Sequence, residues 1–349
     1  IVGATLDVVG RVGYVTNSLP KSNITQAMSF LRLKNEYKTD FIPAYLFIFL
    51  QSKFGKIQLN RHSRPTGQYN LNNEELGAVR VIKLDISVQE KIEELVNISL
   101  STLIESNQFY QSAQNLLLEH LGLKDFNPPT QTVNIKSFAD SFGTSGRLDA
   151  EFYQEKYESY LKKIQAYPNG CEPIRTACKL KDANYTPKDN QTYQYIELSN
   201  IGNSGEITGA SLDLGCNLPS RARRKVSKND VLVSSIEGSL ASCAIVSEQY
   251  HQALCSTGFY VVSSEKINSE TLLMLFKSEP IQQLLKQGCS GTILTAINKD
   301  EFLNIPLPLV DVNIQTQISD LIQQSDRLRQ ESQALLEEAK RKVEQAIEL

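Results

Sequence analysis

The feature that most constrains this chain is that it repeats itself. SGTILTAINKDEFLNIPLPL (290–309) has a partner in the first quarter of the chain, PTGQYNLNNEELGAVRVIKL (65–84), and each stands before a long helical pattern. In one constant shift Gln89 meets Gln315, Ile92 meets Ile318, Leu95 meets Leu321 and Thr66 meets Thr292, while YLFIFLQS (45–52) falls on TLLMLFKS (271–278). Upstream the shift drifts slightly, as loop insertions cause, and IVGATLDVVGRVGYV (1–15) resembles LVSSIEGSLASCAIV (232–246). Solenoid repeats have periods of about 20 to 50 residues. A unit this long is a duplicated domain.

Each copy reads as a mixed head followed by a helix. In the second copy YQYIELSNI, DVLVSSI and GFYVVSS have the β-branched and aromatic content of strands. SETLLMLFKS and EPIQQLLKQG read as short helices, the latter stopped by Gly288. Long helices follow over about Ser87–Gly122 and Asn313–Leu349. The fold class expected is α+β, with two α/β heads, each feeding a long helix, and the two helices paired as an antiparallel coiled coil. The corresponding boundaries are 1–86 for the first head, 87–123 for the central helix, 124–145 for a linker, 146–311 for the second head and 312–349 for the last helix.

The pairing rests on a heptad stripe. Leu321, Leu328 and Leu335 recur at sevens, interleaved with Ile318, Ser325, Ser332 and Ala339; the first helix offers Ile92, Leu95, Ser99, Leu103, Ser106 and Ala113. Apolar positions at this period suit a partner helix lying along the stripe. Small residues at matching places in both copies let two backbones approach closely. At about 1.5 Å per residue each helix runs on the order of 50 Å, more than one head can cover, so the helices read as a shared rod.

Chemistry is hard to find. NPPT at Asn127 lacks the aromatic residue of the Asn-Pro-Pro-aromatic methyltransferase signature, and it reads as a linker after a helix. SFGTSGR (141–147) has no GxGxxG spacing and reads as a hinge. There is no GxxxxGK[ST] loop, and only three histidines, His62, His120 and His251, are available for a triad or a metal site. Six cysteines without CxxC pairing read as buried or free thiols of a reducing cytoplasm. The longest apolar run, FIPAYLFIFL, is about half of a membrane span. A catalytic or metal site, a cofactor and a membrane are therefore not expected of this chain.

Two basic clusters remain. SRARRKVSK holds Arg221, Arg223, Arg224, Lys225 and Lys228, and KFGKIQLNRHSR holds Lys53, Lys56, Arg61 and Arg64. Against a net charge of -3 they are local, and both fall in heads. That segregation fits heads that touch phosphate and a rod that touches protein. Two duplicated heads would match two half-sites on one duplex.

The ordered series GRLDAEFYQEKY (146–157), YIELSNIGNSGEI (195–207), KNDVLVSSIEG (228–238), SGTILTAINKDEFLNIPLPL and a Gln-containing helix start resembles the specificity subunit of type I restriction-modification systems. The resemblance covers nearly the whole chain. It implies target recognition domains that each read half of a split DNA sequence, and an antiparallel coiled coil that docks two methyltransferase (modification) subunits. Restriction/translocase subunits would join through the complex. Methylation and cleavage, with S-adenosylmethionine, ATP and Mg2+, would reside on those partners. DNA-contacting residues expected on this basis are Arg221, Arg223, Arg224, Lys225 and Lys228, with Ser235, Glu237 and Ser239 as polar loop readers and Thr292 and Thr295 on a second loop. In the first head Arg61, Arg64, Gln68 and Tyr69 occupy the matching loop.

Two departures stand out. The family's Pro-x-x-Glu-Gln run before the helix is PLPLVDVNIQTQI in one copy and RVIKLDISVQEKI in the other, so only the glutamine is kept in both. The second copy also starts near Gly146, far upstream of Leu232, the residue matching Ile1, so the first recognition domain is expected to lack its front portion. An alternative keeps the same heads as the C-terminal specificity region of a single-chain restriction-methyltransferase. A third reading is a coiled-coil scaffold without DNA.

Overall fold

The structure, a computed structural model, describes residues 1–3, 10–16, 19, 21–62, 64–65, 69–129, 131, 133–291 and 295–349, with 64, 65, 69 and 70 as backbone alone. They form two compact units, 1–107 with 327–349, and 108–326. The first holds β1 (Val2–Gly3), β2 (Met28–Ser29), α1 (Pro43–Gln51), α2 (Lys53–His62), the hairpin of β3 (Arg64–Pro65) and β4 (Tyr69–Asn70), α3 (Asn73–Gly77) and most of α4 (Ile86–His120). The second begins with the rest of α4, then α5 (Phe142–Ser145), α6 (Glu155–Gln165), β5 (Cys171–Pro173), α7 (Ile174–Ala177), β6 (Lys179–Leu180), β7 (Thr192–Ile196), β8 (Ser211–Leu214) and β9 (Ala222–Lys225). It continues with β10 (Val231–Ser234), β11 (Cys243–Ile245), β12 (Leu254–Ser256), β13 (Phe259–Ser263), α8 (Ser269–Lys277) and α9 (Glu279–Gly288). Last come β14 (Cys289–Ser290), β15 (Ala296–Ile297), α10 (Lys299–Asn304), β16 (Pro306–Pro308) and α11 (Val312–Glu348), whose second part belongs to the first unit. The class is α+β. The stretch read as a hinge carries a helical turn, α5, ended by Gly146 at φ +69°, a left-handed conformation that favours glycine.

The repeat holds at the level of strand register. Val233 pairs with Tyr260 and Cys243, and Ser234 with Phe259. Under the shift that carries Val233 back to Val2, these become the pairs Val2 with Ser29 and Val12, and Gly3 with Met28. Downstream, the shift is the one that sets Gln89 on Gln315. There α1 and α2 fall end to end on α8 and α9, and the pair Arg64–Asn70 becomes Ser290–Ala296. The two shifts differ because the first unit is longer between β2 and α1, where it carries an extra helical turn, Asn35–Tyr37. Local signals repeat as well. Asn72 caps α3 by accepting from Glu75 N at 2.8 Å, and Asn298 caps α10 by accepting from Glu301 N at 2.9 Å. Between the paired helices, Ser52 and Ser278 each donate Oγ back to a carbonyl, of Phe49 and of Leu275, at 2.6 Å.

In the second head β10 separates two cores. Its residues alternate by the period of a strand: Val231 and Val233 join the helices α8 and α9, whereas Leu232 joins Ala244, Val261, Ile196 and Cys255 facing the second sheet. That second sheet has the order β8-β7-β12-β9, which leaves β9 at an edge.

Each head is tied to its long helix by one buried glutamine. Gln89 Nε2 donates to Asp40 O (2.9 Å) and Leu84 O (2.8 Å), and its Oε1 accepts from Ile42 N (2.9 Å). Gln315 Nε2 donates to Lys266 O (3.0 Å) and Val310 O (2.8 Å), and its Oε1 accepts from Asn268 N (2.7 Å). The shift that carries Gln89 to Gln315 carries all three of its partners to those of Gln315. A primary amide is the side chain that supplies two donors and an acceptor without charge, which a buried site requires.

In the first unit α4 and α11 run antiparallel, with Ile92 and Val96 in one core with Ala339 and Val343. At the serine stripe, Ser99 Oγ donates to Ser332 O (2.9 Å) and Ser332 Oγ donates to Ser99 O (2.8 Å), a reciprocal pair. In the second unit Ala113 and Leu117 share a core with Ile318 and Ile322. Ser106 and Ser325 are buried, while Leu95, Leu103, Leu321, Leu328 and Leu335 are half-buried. Residues the sequence reading left out of the stripe but which are buried on these helices include Val96, Thr102, Tyr110, Ile322 and Val343.

Replacing Gln89 or Gln315 with Leu leaves one amide and two carbonyls buried without a partner. At about 1–3 kcal/mol for each such group, each variant should lose roughly 3 kcal/mol or more, and the two losses should be similar. Urea unfolding checks this; a transition unmoved in either variant contradicts the clamp.

Candidate nucleic-acid interface

The basic cluster of the second head is an edge strand. β9 pairs with β12 on one side, Lys225 opposite Leu254 and Arg224 opposite Cys255, with a bulge at Cys255–Ser256. Exposed strand edges invite unwanted pairing, and charged side chains are a common guard. Here the loop 182–186 adds a second one, because Tyr185 N donates to Arg223 O at 2.8 Å. The turn after β9 is braced by the buried Asp230, which accepts from Lys181 Nζ (2.7 and 2.8 Å) and Ser227 N (2.7 Å).

These contacts sort the five cations. Arg224 is half-buried and donates to Asp182 O and to Asn184 Oδ1 (2.9 Å), so its charge pins the guarding loop. Lys228 pairs with Glu248 at 2.9 Å. Arg223 Nε donates to Ser220 O at 3.1 Å. Lys225 is exposed with its ammonium 5.1 Å from the Tyr185 ring, and Tyr185 in turn shares a hydrogen bond with Tyr193 at 3.0 Å. Arg221 is exposed. Lys225, Tyr185 and Arg221 thus present cation and aromatic ring to solvent, whereas Arg224 works inward. No spacing in the sequence marks Tyr185 and Tyr193, because their link to the cluster is a backbone hydrogen bond to Arg223 and a ring contact with Lys225.

The polar loop residues lie beside this edge through one turn. Thr257 N, between β12 and β13, donates to Arg221 O, and Gly258 O accepts from both Ser235 N and Ser235 Oγ, all at 2.9 Å. The loop is joined to the β14–β15 hairpin: Glu237 N donates to Thr295 O at 3.0 Å, Thr295 Oγ1 donates to the Glu237 carboxylate, and Ile297 N donates to Ser235 O at 2.8 Å. Ser239 Oγ shares a hydrogen bond with Ser234 Oγ at 3.0 Å. Ser235, Glu237, Ser239 and Thr295 are therefore brought together, with hydroxyls already engaged in shaping the loop. Thr292 and Gln68 lie outside the described residues. Arg64 and Tyr69 are described as backbone in the β3–β4 hairpin, and Arg61 is exposed in the last turn of α2.

The GRLDAEFY segment turns out to be a latch. Arg147 Nη2 donates to Cys289 O (2.9 Å) and Nη1 to Gln287 O (3.3 Å), capping the end of α9, while Asp149 takes Nε and Nη2 at 2.8 and 2.6 Å. The guanidinium lies 4.4 Å from the Phe152 ring centre. The hydrogen bond to Asp149 pushes the Arg147 pKa up, and its partner's carboxyl is correspondingly held low by Arg147. The cysteines are free; burial pushes the Cys178 and Cys243 thiols up to about 12 and Cys289 to about 11. At such values the nucleophilic thiolate is scarce. Among the described residues no three His, Cys, Asp or Glu side chains cluster as a metal site would need, and no helix is long and apolar enough to cross a membrane.

A family profile described as the type I restriction modification DNA specificity domain matches residues 173–341, which include β9, the loop 235–239, the hairpin and most of α11. Residues 173–341 are thus similar to the type I restriction-modification DNA specificity domain. Three solved structures also resemble the chain. One comes from work on complex assembly and conformational transition of the type I R-M system, at 24% identity over 46% of this chain and 43% of that chain, TM-score 0.40. The HsdS subunit from Thermoanaerobacter tengcongensis gives 25% identity over 47% and 44%, TM-score 0.40. The type-I restriction-modification system S subunit from M. genitalium gives 12% identity over 87% and 73%, TM-score 0.39. The match spans less than half the length of the first two chains, and with TM-scores below 0.5 the family likeness is carried by the 173–341 match alone. No curated protein matches the sequence.

Arg147 precedes that specificity match but grips Gln287 and Cys289 inside it. Arg147→Lys keeps the charge and loses the fork. It should lower the thermal stability of the second head by roughly 2 kcal/mol, the scale of hydrogen bonds to a charged group, with the effect read as faster amide exchange at the end of α9. Exchange equal to that of the parent would show that the latch contributes nothing.

Proposed function

We propose that this chain is a non-catalytic DNA-recognition subunit of a type I restriction-modification complex, and that its second head reads one half of a split target. The observation that carries the reading is a cationic, aromatic-backed edge strand inside the segment that matches the DNA specificity family. Arg221 and Lys225 contact the phosphate backbone. Tyr185 supports Lys225, while Arg224 and Lys228 keep the surface in shape. The loop 235–239 and the β14–β15 hairpin, locked to each other, face the base edges, where a side chain such as Glu237 discriminates by hydrogen bonding. α4 and α11 dock the modification subunits. Methyl transfer and ATP-driven cleavage, with S-adenosylmethionine, ATP and Mg2+, belong to the partner subunits.

The test separates backbone contact from fold. Each phosphate contact removed should lower the slope of log K against log salt by about 0.9. Arg221→Ala and Lys225→Ala should each weaken binding of a duplex pool in anisotropy titrations and flatten that slope by about one, with unfolding unchanged. Arg224→Ala should instead destabilise the head. Slopes unaltered in both exposed-residue variants would refute the assignment of this edge to DNA.

A further inference from the structure

The loop between β10 and β11 is held from two sides, and the hairpin is only one of them. Residues 240–242 form its return limb, between the turn Glu237–Ser239 and β11. There Leu240 O accepts from Gln282 Nε2 at 3.0 Å, and Ala241 O accepts from Lys277 Nζ at 2.9 Å. Gln282 Nε2 also donates to Phe276 O at 2.5 Å, so one amide joins the limb to the last turn of α8. The two donors stand on either side of the corner where α8 gives way to α9.

That corner is itself anchored. At the other end of α8, Asn268 Oδ1 accepts from Thr271 N at 2.8 Å, while Asn268 N and Nδ2 donate to Gln315 Oε1 and O at 2.7 and 2.9 Å. The nine residues of α8, about 13 Å of helix, therefore run from the glutamine that grips α11 to the return limb of the loop. Residues Thr271–Phe276 of this helix are buried, which seats it firmly in the core.

Two observations set Lys277 and Gln282 apart from the scaffold. The shift that carries Gln315 to Gln89 carries Ser278 to Ser52 but Lys277 to Gln51 and Gln282 to Lys56. The corner recurs in the duplicated fold, and the donors on it do not. Burial also pushes the Lys277 pKa below the usual lysine range, an effect that the nearby Glu206 only partly offsets. A cation at this depth is a cost to the fold, so its value lies in what it holds.

We propose that Lys277 and Gln282 are positioning residues for base discrimination: by gripping the carbonyls of Ala241 and Leu240 they set where Glu237 stands, without touching DNA themselves. The proposal rests on the reading above, in which the loop 235–239 faces the base edges. Hydrogen bonding to a base edge is directional, and a displaced acceptor loses its preference for one base before it loses binding. Affinity from phosphate contacts is untouched, because Arg221 and Lys225 lie on β9 and before it.

The test uses the full chain with a type I modification subunit, and the duplex motif that the parent enriches from a random library. Lys277→Met and Gln282→Met nearly keep side-chain length and remove the donors. In each, the ratio of motif affinity to scrambled-duplex affinity should fall by about tenfold or more. Scrambled-duplex affinity and its salt slope should match the parent's, and amide exchange over 239–243 should quicken in the DNA-free chain. Lys277→Met discards a charge that burial opposes, so its fold is expected to hold even where Gln282→Met is weakened. An unaltered ratio or parental exchange in Lys277→Met overturns the proposal. So does a slope lowered by about 0.9 in that variant, the mark of a direct phosphate contact. A parent that enriches no motif refutes the reading of the loop, and the proposal with it, whereas a discriminating parent matched by its variants refutes the positioning alone.

Discussion

A long helix leaves its first amides without partners and can pivot about its first turn unless something grips it. Here the grip is one glutamine per copy. Gln89 and Gln315 each fix three backbone groups, two from the segment before the head's first long apolar helix and one from the residue five before the glutamine itself. An unpaired amide at such a depth would cost more than its hydrogen bonds return, so the arrangement is nearly all-or-none. The two copies differ in the residues before the helix, with prolines in one and none in the other. The glutamine contacts are nevertheless the same, which makes the start of both long helices a shared geometry within the molecule.

The small-residue stripe is the second constraint. Serine at positions 99 and 332 permits each hydroxyl to reach the other chain segment's carbonyl, and any larger side chain would hold the backbones apart. Within each unit the buried positions on the helices follow the three-and-four spacing of a heptad pattern. The heads vary around these fixed points. A longer connection with a helical turn of its own separates β2 from α1 in the first copy, while the strand registers on either side are unchanged.

Much of this was legible in the sequence because a duplicated fold leaves a duplicated apolar pattern, and a single shift aligned α1 with α8 and α4 with α11. The purpose of the shared glutamine was not legible. Its partners are backbone groups up to 49 residues away, and backbone groups carry no sequence signal. The basic run of β9 was visible as charge, but charge counting could not separate Arg224, which turns inward to Asn184, from Lys225, which rests on Tyr185. That distinction depends on which edge of the sheet the strand occupies. The GRLDAEFY run was informative as a pattern, while its physical role as the cap of α9 needed the carbonyls of Gln287 and Cys289 to be seen next to Arg147.

On the function proposed above, the second head is a sequence reader built on a locked pair of loops beside a cationic strand. Selection of bound duplexes from a random library by the full chain, mixed with a type I modification subunit at near-physiological salt, tests that claim most directly. The predicted result is enrichment of one short contiguous motif. A bound pool whose sequences remain random would contradict it.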